Sequence, residues 1–152
     1  MLERSYVMVK PEFANNPLVV QEVKKQLVEK SNNSLTILKG EYINYTSEAA
    51  KKHYAEHVGK DFYPDLEGYI TSDKAYGMIV EGENAIATIR SIVGATKNPA
   101  EGTIRFEIPK MLGWPLRITQ NVVHASDSSL SAEKEIEIFE NIVSTSTDYM
   151  SR

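Results

Sequence analysis

The sequence contains no cysteine. That excludes a disulfide framework and any thiolate-held metal, and it suits a reducing compartment, so the expected location is the cytoplasm. A long apolar run is also missing. The opening Met1-Leu2-Glu3-Arg4 has no hydrophobic stretch of leader length, and nothing approaches the roughly 20 apolar residues of a membrane span. Positive charge is in deficit. The 17 Lys and Arg against 21 Asp and Glu leave a net charge of -4, which argues against general nucleic-acid binding. A few converging cations can still make a local pocket for a small polyanion. Repeats and low-complexity segments are absent. What remains is 152 residues, 41% of them hydrophobic, which fits one globular domain spanning 1–152 with a full core. The Ser/Thr-rich tail from Ser144 to Arg152 is expected to be the least ordered part.

Apolar patterning supplies the elements. Arg4 to Lys10 reads as a strand, and Tyr6 to Val9 is apolar on both faces, as in a central strand covered on two sides. Pro11 stops it and leaves Lys10 at a strand end. Asn16-Pro17 opens a helix with Val20, Val23 and Leu27 at helical spacing, closed by Ser31-Asn32-Asn33. Leu35 to Tyr45 reads as a second strand. Leu35, Ile37 and Ile43 share one parity, and Lys39 and Glu41 predict an exposed or bulged middle. Helical signals follow from Thr46 to Val58, and again from Phe62-Tyr63-Pro64 to Ile70. Ala75 to Glu81 is a third strand. Asn84 is placed to cap a helix carrying Ile86, Ile89 and Val93, ended by Gly94.

Thr96 to Gln120, with Pro99, Gly102, Pro109, Gly113 and Pro115, reads as one long irregular segment, in which Trp114 is expected to be core. Arg117 to His124 is the fourth strand. A last helix begins near Ser131, with Ile136, Phe139 and Val143 on its buried face and Glu135 adjoining it. This order predicts an α/β ferredoxin-like sandwich: a four-stranded antiparallel sheet of βαββαβ topology, helices on one face, and a cleft at the strand ends.

Asn121-Val-Val-His124-Ala-Ser126-Asp-Ser128 is the most informative stretch. Two valines run into a histidine and then into turn formers, so a strand ends at His124. A histidine held that way faces a loop-lined opening, a suitable place for a nucleophile or a proton carrier. Asn121 and His124 have opposite parity in a regular strand, so a chain that brings both to one site must end or twist the strand before His124. His53 and His57 lie one turn apart and could hold a metal. No third ligand accompanies them, and the expected reading is a packed or solvated pair. Lys10, Tyr54, Phe62, Arg90, Thr96, Arg105, Asn121, His124, Ser126 and Glu135 together supply cations, hydroxyls, an aromatic ring, an amide and a histidine–carboxylate pair. A nucleotide phosphate pocket needs that set.

In their order along the chain these residues resemble the nucleoside diphosphate kinase family, over roughly Glu3 to Phe139. The segment from Asn121 to Ser128 resembles the family's active-site signature, and Ser131-Ala132-Glu133-Lys134-Glu135-Ile136 follows at the family's spacing. The resemblance implies transfer of the γ-phosphate of a nucleoside triphosphate to a nucleoside diphosphate, ATP and GDP among them, by a ping-pong route through a phosphohistidine. It implies that His124 is phosphorylated, that Glu135 orients its imidazole and that Ser126 lies close by. Lys10, Arg90, Thr96 and Arg105 would bind phosphate, Asn121 and Lys10 the sugar 3′-hydroxyl, and Phe62 the base, with Tyr54 near the histidine. Magnesium would arrive on the nucleotide, and the subunits would form a tetramer or hexamer. The sequence departs from the family pattern at Glu12, where Asp is usual, and at Phe106-Glu107, where Gly-Asp is usual. The segment from Phe106 to Gln120 is longer than usual. Two competing readings are a catalytically silent nucleotide-binding relative acting as a scaffold and a ferredoxin-like nucleic-acid module. The intact site set speaks against the first and the acidic balance against the second.

Overall fold

The computed structural model describes residues 1–115 and 121–150, with side chains described through residue 145. The elements are β1 (Leu2–Val9), α1 (Pro11–Ala14), α2 (Pro17–Lys30), β2 (Thr36–Ile43), α3 (Ser47–His53), a 3-10 turn (Ala55–His57), α4 (Tyr63–Ile70), β3 (Ala75–Glu83), α5 (Ala85–Val93), α6 (Ile104–Leu112), β4 (Val123–Ala125) and α7 (Ser129–Met150). The strands form one sheet in the order β2-β3-β1-β4, antiparallel at every pairing. This is the four-stranded antiparallel ferredoxin-like sheet expected from the sequence.

Strict alternation along β1 explains the layering. Tyr6 and Met8 point to one side and Val7 and Val9 to the other, and all four are fully buried. Val7 and Val9 join Val20, Val23, Leu27, Ile89 and Ile108 in a core beneath α2, α5 and α6. Tyr6 and Met8 join Ala50, Leu66, Ile70 and Phe139 beneath α3, α4 and α7. Helices therefore cover both faces of the sheet, which corrects the one-face expectation. A central strand with two apolar faces requires cover on each, at a cost of about 1.5–3 kcal/mol for every large side chain left in water.

Several local features refine or correct the sequence expectation. The β2–β3 register shifts between Ile37 and Lys39, the expected bulge. Its consequence is that Leu35 faces one core and Ile43 the other, so they do not form a single stripe. Asn84 precedes α5 but sits in the left-handed region at φ 50° and makes no side-chain cap. The Glu3 carboxylate on β1 accepts from the Ile86 amide instead, at 3.2 Å. Within the segment read as irregular, Ile104 to Leu112 is helix α6, with Pro109 inside it and Ile104 and Ile108 buried one turn apart. Trp114 is not core. It is 41% exposed and packs its ring 5.3 Å from that of Phe13. Of the expected fourth strand, Arg117 to Gln120 lies outside the described residues, and Val123–Ala125 is strand. Of the tail expected to be loosely ordered, the backbone to Met150 is helical, while side chains from 146 and both final residues lie outside the description.

The seat of α7 depends on a glycine. A Cβ on Gly77 of β3 would lie 2.7 Å from the Phe139 ring and 2.8 Å from the Tyr6 hydroxyl. The helix can therefore approach the sheet closely only where a side chain is missing. Gly77→Ala is expected to destabilise the fold by about 1–3 kcal/mol through overpacking. A urea denaturation series checks this, and an unchanged midpoint would show that α7 does not rest on this contact.

Candidate active site

The site begins with a backbone irregularity. Val122 has φ 79°, a left-handed conformation that a β-branched residue adopts only under constraint. The Val123 amide donates back to the Asn121 carbonyl at 3.0 Å, closing a γ-turn, and the Lys10 amide donates to the Val122 carbonyl at 2.8 Å. Val122 itself is fully buried. The turn breaks strand alternation between Asn121 and His124, the twist their parity demanded. β4 then runs for only three residues, pairing His124 opposite Met8.

Behind His124 lies a compact acceptor system. Its Nε2 is 2.8 Å from Glu135 Oε1. The Ser126 hydroxyl donates to the same oxygen at 2.7 Å and accepts from the Tyr6 amide at 3.1 Å. The Ser126 amide donates in turn to the Tyr6 carbonyl at 3.1 Å, so β1 fixes Ser126 and Ser126 fixes the carboxylate. Glu135 reaches inward because Ala132, Glu135 and Phe139 lie on one face of α7, all buried. Ser128 helps start that helix by accepting from the Ser131 amide at 3.1 Å. With Nε2 engaged by Glu135, Nδ1 is the His124 nitrogen left for chemistry.

In front of His124 is a polar cleft of about 360 Å³, lined also by Tyr54, Arg90, Thr96, Arg105 and Glu135. Arg105, in the first turn of α6, donates from Nη1 to the Gly94 carbonyl and from Nη2 to the Val123 carbonyl, each at 2.9 Å, and its Nη1 stands 3.5 Å from the Thr96 hydroxyl. It thus ties the end of α5 to β4. Its Nε is buried with no hydrogen-bond partner among the described residues. Burial, reinforced by the neighbouring Arg90 charge, lowers the Arg105 pKa to about 10. Arg90 is exposed on α5 at the cleft rim. Tyr54 is buried against His53, and its hydroxyl has no hydrogen-bond partner among the described residues.

Four expected residues stand outside the cleft lining, and one of them is Ser126, fully buried behind Glu135. Lys10 and Asn121 are buried behind it, joined by a hydrogen bond from Lys10 Nζ to Asn121 Oδ1 at 2.9 Å. Burial, with Arg105 adding like charge, lowers the Lys10 pKa to about 7. Phe62 is half-exposed just before α4, its ring 5.4 Å from that of His57. Of the cleft residues that sequence reasoning missed, three bear on the chemistry. Asp127 lines the cleft, its carboxyl held below the usual range chiefly by the Ser131 hydroxyl. Lys134 lines it as well. The third is His53. His53 and His57 are not a pair: His57 is half-exposed beside Lys60, whereas His53 is buried with its ring 4.6 Å from that of His124. Only helical spacing from Ala49 and Ala50 pointed His53 inward, and nothing in the sequence gave its neighbour.

Comparison with known proteins decides the family. The profile described as "Nucleoside diphosphate kinase" matches residues 3–142. A protein of that name from Listeria monocytogenes is 42% identical over 141 residues, 91% of this chain and 88% of that protein. One from Archaeoglobus fulgidus is 43% identical over 141 residues, covering 91% and 86%. A solved nucleoside diphosphate kinase from Halobacterium salinarum, in complex with CDP, superposes with a TM-score of 0.78 at 32% identity, covering 91% of this chain and 88% of that one. This chain belongs to the nucleoside diphosphate kinase family.

It is therefore a phosphotransferase enzyme, with nucleotides as its substrates. The departures from the pattern of nucleoside diphosphate kinases have local explanations. Phe106 and Glu107 continue α6, where the Glu107 carboxylate accepts from the Gly102 amide at 3.0 Å and anchors the turn before the helix. Glu12 lies in the single turn of α1.

Burial of Lys10 makes stability depend on pH. The folded pKa of about 7 lies below the ordinary 10.5, so the unfolded chain binds more protons between these values. The destabilisation is full below pH 7 and is relieved as pH rises towards 10.5. Lys10→Met is expected to gain stability over the parent protein at pH 6, with the gain shrinking as pH increases. Parallel urea titrations across that range check it. Parallel curves would place a charged Lys10 in the fold at no cost.

Proposed function

We propose that this enzyme moves the γ-phosphate of a nucleoside triphosphate to a nucleoside diphosphate by a ping-pong route, with His124 carrying the phosphoryl group between them. The observation that supports this best is the His124–Glu135–Ser126 arrangement. A neutral imidazole whose Nε2–H is donated to a fixed carboxylate has its lone pair on Nδ1 and needs no separate base. Nδ1 attacks the γ-phosphorus, and the bond from phosphorus to the bridging oxygen breaks as the diphosphate leaves. Glu135 offsets the positive charge that develops on the ring. The second half runs in reverse, as a terminal oxygen of a new diphosphate attacks and the P–N bond breaks.

The remaining residues fit a charge-clamping role. Phosphoryl transfer spreads negative charge over three oxygens, so catalysis is mostly positioning and electrostatics. Arg90, Arg105 and Thr96 line the same cleft as His124 and would hold phosphate oxygens. Lys10 and Asn121, tied together, would contact the sugar 3′-hydroxyl, and Lys10 the phosphates as well. Half-exposed Phe62 would stack on the base, which predicts weak discrimination among bases. Tyr54 would stand beside the reacting histidine. Magnesium fits as an ion carried by the nucleotide, since hard oxygen donors suit it and Asp127 and Glu56 on the cleft wall can hold its water shell. When bound it neutralises charge on the terminal phosphates. A homo-oligomer, tetramer or hexamer, is supported by the edge of β2, unpaired among the described residues, where Leu38 and Tyr42 are 45% and 46% exposed.

Two variants test the reading. His124→Ala is expected to abolish turnover while nucleotide binding stays measurable by calorimetry. Glu135→Gln is expected to fold but to slow phosphorylation of His124 by roughly 10²-fold. Turnover by the first variant, or an unchanged rate in the second, would take that residue out of the mechanism.

A further inference from the structure

His53 is a buried polar group at the cleft that the proposed reaction does not use. It ends α3, is 6% exposed, and its Nε2 has neither a hydrogen-bond partner among the described residues nor contact with solvent. A polar atom left this way inside a protein is uncommon and calls for an explanation. Its surroundings supply one. One ligand atom each from His53, His124 and Glu135 lies within 4.8 Å of the others. All three residues border the cleft, which gives an ion a way in and room for a water ligand.

We propose that His53, His124 and Glu135 form a site for a divalent transition-metal ion of the zinc class, and that the bound ion switches the nucleophile off. Two imidazoles and one carboxylate with an open fourth position are a donor set that zinc accepts and that magnesium does not favour. His124 Nε2 and Glu135 Oε1 already stand 2.8 Å apart, so the His53 ring is the one that must move in. A second shell is in place. His53 Nδ1 is 3.4 Å from the Tyr45 hydroxyl, which lies 2.8 Å from the Tyr6 hydroxyl. An Nδ1–H donated to Tyr45 leaves the Nε2 lone pair facing an incoming ion.

The inhibitory consequence rests on the phosphohistidine reading, whereas the site itself does not. An ion that reaches both His124 and Glu135 replaces the proton now shared between Nε2 and Oε1. A metal–nitrogen bond forms at Nε2 as its N–H bond breaks, and solvent returns the proton to Nδ1. The lone pair that would attack phosphorus is then occupied.

The chain has three histidines, so nitrogen-15 spectra of their rings test the site without any variant. One equivalent of zinc is expected to shift the ring nitrogens of His53 and His124 and leave those of His57 in place. His53→Gln is expected to weaken zinc binding at least tenfold in a chelator competition, and His57→Gln to leave it unchanged. Shifts confined to His57, no shifts at all, or equal affinity in His53→Gln would overturn the site. For the switch, phosphoramidate serves as a phosphoryl donor that binds zinc too weakly to remove it. Zinc-loaded protein is expected to phosphorylate at least tenfold more slowly, with the rate restored by EDTA. An unchanged rate with zinc bound would overturn the switch. Metal-free protein that accepts no phosphoryl group at all would contradict the phosphohistidine reading, while the spectra judge the metal site by themselves.

Discussion

The arrangement of this molecule turns on one carboxylate oxygen. Glu135 Oε1 accepts from Ser126 and His124 together, and both donors belong to the segment that begins with β4. For that oxygen to be there, α7 must lie close on the sheet, and Gly77 makes the approach possible. For His124 to meet it, β4 must begin after a γ-turn at Val122. Ser126 must in turn be clamped to β1 through Tyr6. Each of these contacts helps to hold the imidazole, so the packing of the domain and the orientation of His124 are one problem.

Opposing that order is the electrostatic cost of the site. Lys10 and Arg105 are held in partly desolvated positions near each other, and both pKa values are lowered as a result. Hydrogen bonds to backbone carbonyls and to Asn121 offset part of the cost. A site of this kind is poised for a polyanion, because phosphate oxygens would favour the charged forms that burial disfavours. The net charge of -4 does not conflict with this, since the field that matters is local to the cleft.

Much of this was legible in the sequence, for identifiable reasons. Tyr6 to Val9 announced a two-sided central strand, and Asn16 before Pro17 announced a cap that forms, accepting from the Leu18 amide at 3.0 Å. His124, Ser126 and Glu135 were readable as a set because their order matches a family pattern and all three sit within twelve residues of one another. What was hidden depended on tertiary contact. Pro109 masked α6, whose Ile104 and Ile108 are held by the core more than by propensity. The bulge in β2 switched Ile43 to the other face. Val122 carries no local sign of its left-handed backbone. His53 meets His124 only because α3 and β4 converge at one end of the sheet, and sequence spacing carries no trace of that contact.

The central claim is that His124 holds the phosphoryl group covalently between two nucleotides. It is tested most directly by the half-reaction: mix the protein with magnesium and ATP, without an acceptor, and determine the intact mass before and after adding GDP. The account predicts an acid-labile phosphoryl adduct that maps to His124 and disappears as GTP forms. An enzyme that turns ATP and GDP over at full rate with no such adduct at any stage would contradict it.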